Sequence, residues 1–89
     1  MVQPHLEITY RHGKALAAYL RLPRARGAQV AHTREMRLSI LADVDSAGQL
    51  LGLEFLAPDS TTIAEVQSVL AEFQTSPVAD EDLRPLRAA

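Results

Sequence analysis

Residues 38–56 read LSILADVDSAGQLLGLEFL, and the fold turns on how this stretch is read. Before the polar break, Leu38, Ile40, Ala42 and Val44 recur at every second position. After it, Leu51, Leu53 and Phe55 do the same. Period two on both sides of a short Asp-Ser-Ala-Gly link is the pattern of a β-hairpin with one buried face.

The link sets the register. A three-residue loop with Gly48 bulged would pair Val44 with Leu50 and Ile40 with Glu54, mixing the two faces. A four-residue loop with Gly48 left-handed pairs Val44 with Gln49. It then sets Ala42 opposite Leu51, Ile40 opposite Leu53 and Leu38 opposite Phe55. The second arrangement keeps one face apolar and is the expected one.

Toward the N-terminus the alternation continues. His5 to Tyr10 places Leu6, Ile8 and Tyr10 on one side and Glu7 and Thr9 on the other. Arg11-His12-Gly13-Lys14 is a polar break suited to a hairpin connection. Ala15 to Leu22 also suits a helix by composition, yet Pro23 and Gly27 close it early, so a strand with Leu16, Ala18, Leu20 and Leu22 on one face is expected. Gln29 to Met36 reads as a third, more polar strand at the sheet edge. Leu38 to Val44 and Leu50 to Leu56 are the fourth and fifth.

Pro58 and Asp59 end the sheet. Thr62-Ile63-Ala64-Glu65 fits a capping box, followed by Ile63, Val66, Val69, Leu70 and Phe73 at helical spacing. The expectation is an α+β domain over residues 1–76, a five-stranded, mainly antiparallel meander with one C-terminal helix over about 61–74 packed on it. Residues 77–89 read as a mobile tail with few anchors.

An 89-residue chain has room for one domain. With 47% hydrophobic and 22% charged residues it has ordinary globular composition. It contains no cysteine, which excludes a disulfide framework, a thiolate metal site and a Cys nucleophile. No apolar run approaches the roughly 20 residues of a membrane span, and the N-terminus lacks a signal-peptide pattern. A soluble protein of the cytoplasm is the expectation.

The net charge of −2 argues against a mainly electrostatic nucleic-acid binder. It is unevenly spread: residues 1–37 carry a net +5, and residues 38–83 carry nine acids with no Lys or Arg. Such asymmetry suits attraction across a subunit contact, or simply a mixed surface once the halves fold together.

Ile8 and Tyr10, AAYLRL at 17–22, VAHTRE at 30–35 and DVDSAGQLLGLEFL at 43–56 together resemble the bacterial family of domain of unknown function 2283. The resemblance covers about residues 6–57. It implies a small β-rich domain with a helical appendage and carries no established function. The chain departs from the pattern in its first hairpin, where Arg11, His12 and Lys14 replace acidic residues, and in the helix beyond residue 57.

Several motifs point to chemistry. Asp43, Asp45, Gly48 and Glu54 fall at positions 1, 3, 6 and 12 of a calcium loop, but Ala47 occupies position 5 and the flanks alternate like strands. Solvating aspartates of a hairpin explain them better. In the expected register Ser39 faces Glu54, and Asp43 shares that outer face with Leu41 and Leu50, where two carboxylates could hold a divalent metal or work as an acid–base pair. His5, His12 and His32 lack close metal spacing, and His32 could meet Glu54 only if strand order allowed it. Arg21, Arg24, Arg26, Arg34 and Arg37 could form a basic patch, with few aromatics for bases to stack on.

No catalytic constellation and no cofactor motif is expected. Leu41, Leu50 and Leu56 on the second sheet face suggest more apolar surface than one helix covers, hence a homodimer. The function expected is a non-catalytic interaction module that self-associates and binds a protein partner. The alternative is small-ligand or divalent-metal binding through Asp43, Asp45, Glu54 and His32, and weak nucleic-acid binding comes third.

Overall fold

The computed structural model of the chain describes residues 4–24 and 26–88, with side chains to residue 87. Five strands form one antiparallel sheet: β1 (His5–Arg11), β2 (Lys14–Arg21), β3 (His32–Arg37), β4 (Ile40–Val44) and β5 (Leu50–Phe55). A 3-10 turn at Pro58–Ser60 leads to α1 (Ile63–Glu72), then α2 (Asp80–Leu83) and a last 3-10 turn at Arg84–Ala88. The α+β class and the antiparallel sheet are those expected. No helix among the described residues is long and apolar enough to cross a membrane.

The order is β1-β2-β5-β4-β3, which departs from a continuous meander at one place. β5 keeps its place beside β4 and also pairs with β2, where a meander would have put β3, so the most apolar strand lies at the centre. Its buried residues Leu50, Leu51, Leu53 and Phe55 explain the choice. A strand with so little polar surface is most stable with neighbours on both sides. β1 and β3, both rich in exposed residues, are left as the edges.

The β4–β5 register is a correction. Ile40 pairs with Phe55, Ala42 with Leu53 and Asp43 with Gly52, whereas Val44 pairs with Leu50. The loop is the three-residue one: Asp45 N–H donates to the Gln49 carbonyl at 3.0 Å, and Gly48 has φ +83°. Mixing of the faces is avoided because Leu51 is an extra residue, bulged out of the ladder, which turns both Leu50 and Leu51 inward. Leu50 is therefore a core residue and not part of the outer face.

Helix α1 starts as its capping box requires. Thr62 Oγ1 accepts from Glu65 N–H at 3.1 Å, and Thr62 N–H donates to Glu65 Oε1 at 3.1 Å. Val66, Val69 and Leu70 are fully buried against Leu20, Ile40, Leu53 and Phe55, with Ile63 and Phe73 half-buried at the margin. Each large side chain of this set contributes about 1.5–3 kcal/mol of burial. The helix ends in a Schellman arrangement, with Thr75 N–H on the Leu70 carbonyl and Gln74 N–H on that of Ala71. Gln74, at φ +56°, fills the position that glycine usually takes.

Residues 77–88 differ from the anchor-poor tail expected. Val78, Leu83 and Leu86 are buried in the same core, and α2 packs against β1. Gln67 ties the segment to α1: its side-chain amide donates to the Val78 carbonyl at 2.6 Å and accepts from Val78 N–H at 3.2 Å.

Candidate functional site

One sheet face carries the helices and the other is open. Alternation along β2, β4 and β5 sends Tyr19, Asp43, Gly52 and Glu54 to the open face, while their neighbours fill the core. Because β5 lies between β2 and β4, Tyr19 and Asp43 are two strands apart. Tyr19 spans the gap by lying across Gly52: a Cβ on that glycine would come within 2.3 Å of Tyr19 Oη. Gly52 serves here by its missing side chain.

The tyrosine hydroxyl donates to Asp43 Oδ2 at 2.8 Å, and Thr33 Oγ1 on β3 donates to Asp43 Oδ1 at 2.8 Å. Both carboxylate oxygens are thus engaged, and the bonds stitch four adjacent strands. Burial, then the hydrogen bond and negative charge of Asp43, raise the Tyr19 pKa above its ordinary 10.0; Arg24 acts weakly the other way. The hydroxyl is held as a proton donor, so it offers no phenolate base or nucleophile at neutral pH. Arg24 Nη2 donates at 2.8 Å to the Leu51 carbonyl, which also accepts from Leu22 N–H at 3.1 Å, and Arg24 Nε is buried without a partner among the described residues.

The candidate metal ligands do not converge. Asp45 Oδ1 accepts from Ala47 N–H and Gln49 N–H, each at 2.9 Å, which makes it the brace of the hairpin turn. Glu54 stands opposite Leu41 and Tyr19, not opposite Ser39, because of the register. His32 pairs with Val44 on the β3 edge, and His5 lies on the opposite edge, on the order of 19 Å away across four strand spacings. Among the described residues no three His, Asp or Glu side chains come close enough to hold a metal ion.

The five arginines are likewise divided. Arg34 stacks on Phe73 with its guanidinium 5.4 Å from the ring centre, and Arg37 pairs with Glu72, both on the helix side. Arg21 lies 6.0 Å over Tyr19 on the open face, and Arg24 is held at Leu51. Arg26 stands exposed in the β2–β3 loop.

What the sequence reading did not find is the Tyr19–Gly52–Asp43 crossing. Its partners lie 24 residues apart and become neighbours only once β5 enters between β2 and β4. The one local signal was a glycine inside an otherwise apolar strand. No family model, curated protein or solved structure matches this chain.

Proposed function

We propose that this chain is a non-catalytic interaction module that self-associates and binds a protein partner, a bacterial cytoplasmic protein belonging with domain of unknown function 2283. The observation that carries the reading is the placement of its exposed apolar side chains. Tyr10 is 54% exposed, Leu16 49%, Leu38 92% and Leu56 48%. These four of the five exposed large apolar side chains lie at one end of the sheet, where β1 and β5 finish and β2 and β4 begin, while the fifth, Val30, lies beside the far end of β4. A leucine held almost wholly in water at a hairpin tip, beside others half in water, is the composition of a contact surface.

The open face supports the same reading from the other direction. Its hydrogen-bonded polar groups satisfy one another: both oxygens of Asp43 are taken by Tyr19 and Thr33. Groups consumed in tying strands together are poor candidates for turning over a substrate. The family resemblance covers about residues 6–57, and its most specific stretch, 43–56, folds as one hairpin around the Asp45 brace.

Affinity capture from a lysate of the source organism, with wild type beside Leu38→Glu/Leu56→Glu, tests the proposal. The expected result is one protein in stoichiometric yield with wild type and its loss with the variant, whose melting temperature stays unchanged. Recovery of the wild type alone, or equal capture by both, contradicts it.

A further inference from the structure

The sheet is open, and its two edges are unlike. In the β3–β4 ladder the extra residue, Met36, sits on β3 itself, so that edge is bulged, and two of its arginines are turned back onto α1. In the β1–β2 ladder the extra residue is Leu16, on the inner strand. β1 therefore presents a regular outer edge over all seven of its residues. A long, unbulged edge is a template for another strand.

Its side chains are self-complementary about one point. On the open face Glu7, Thr9 and Arg11 follow one another, each exposed. Antiparallel pairing with a second copy through a two-fold axis at Thr9 sets Thr9 opposite Thr9 and Glu7 opposite Arg11, twice by symmetry. On the helix-bearing face the same register sets half-buried Ile8 opposite Tyr10, which is 54% exposed in the single chain. An axis at Ile8 would instead put His5 against Arg11 and leave Glu7 facing a threonine, and an axis at Glu7 would oppose two carboxylates. On β3, an axis at Arg34 or at Glu35 sets like charges against each other. Pairing of β1 with β3 of the next copy is head-to-tail and gives a ring or a filament, not a two-fold dimer.

We propose that β1 pairs antiparallel with β1 of a second copy, its two-fold axis at Thr9, to give a continuous ten-stranded sheet locked by two Glu7–Arg11 pairs. This rests on the self-association proposed above and names its surface; of the apolar sheet end, Leu16, Leu38 and Leu56 are left for the protein partner.

The absence of cysteine makes the test direct. Under mild oxidation Thr9→Cys forms a disulfide-linked dimer, Glu7→Cys and Arg11→Cys alone do not, and an equal mixture of those two does. In parallel, Glu7→Arg and Arg11→Glu each weaken the dimer about tenfold, and the double exchange restores it to within about threefold of wild type. All three positions are exposed, so folding is retained and checked by circular dichroism. A wild-type dimer that ignores both charge reversals and fails to cross-link through Thr9→Cys overturns this surface while self-association stands. Cross-linking through Ile8→Cys in place of Thr9→Cys overturns the register. A monomeric wild type overturns both proposals.

Discussion

The ring of Tyr19 lies across the backbone of Gly52 and reaches Asp43 on the far side, so that a residue on β2 is bonded to one on β4 over the strand between them. Gly52→Ala puts a methyl 2.3 Å from Tyr19 Oη and forces the ring aside. The expected loss is about 1–2 kcal/mol, the worth of the hydrogen bond plus misfit packing. In a Tyr19→Ala background the same substitution has little effect, since the obstacle is gone. Chemical denaturation of the four proteins measures this coupling; additive losses contradict the crossing.

The raised Tyr19 pKa carries a pH signature. The folded protein holds this proton more tightly than the unfolded chain, in which tyrosine titrates near 10.0. The corresponding stability is present in full below pH 10 and is lost as pH rises through the folded value. Wild type is expected to lose stability more steeply than Tyr19→Phe above pH 10 in urea unfolding. Parallel profiles contradict a raised pKa.

The C-terminal segment acts as part of the core. Leu83 is fully buried, and Leu83→Ala is expected to lower stability by about 2–4 kcal/mol. Gln67→Ala, which strands the Val78 backbone groups, is expected to cost about 1–2 kcal/mol. Thermal unfolding measures both, and two neutral substitutions restore the mobile tail.

Gln74 holds a left-handed conformation at the end of α1, at φ +56°. Gln74→Gly removes that strain at an exposed position and is expected to stabilise by about 0.5–1 kcal/mol. A destabilised variant contradicts the reading of this cap.

Asp43 bonds to two hydroxyls, so Asp43→Asn is expected to lower the melting temperature in buffers with and without divalent ions alike. Calcium, magnesium, zinc or manganese leaves the wild-type melting temperature unchanged. A metal-dependent rise in wild type, abolished by Asp43→Asn, revives the metal-binding alternative.

The strands and α1 were legible because period two and the capping box are local properties of the chain. The β4–β5 register was not, because alternation assumes an unbroken ladder. The bulge at Leu51 lets two successive leucines face inward, which no binary pattern displays. Strand order was hidden for a different reason: β5 chooses β2 through burial on both its edges, a non-local gain. Leu83 and Leu86 sit at helical spacing, but the surrounding acids, arginines and Pro85 masked them as solvent-facing. The Tyr19–Asp43 contact inherits the missing strand order. Gly52, odd among leucines, was the readable clue to it.

Self-association stands at the centre of this account, and sedimentation velocity of the wild-type protein from low to high micromolar concentration tests it most directly. A chain that pairs through β1 gives a sedimentation coefficient that climbs from the monomer value to that of a dimer and stops there. A single monomeric species over the whole range contradicts it.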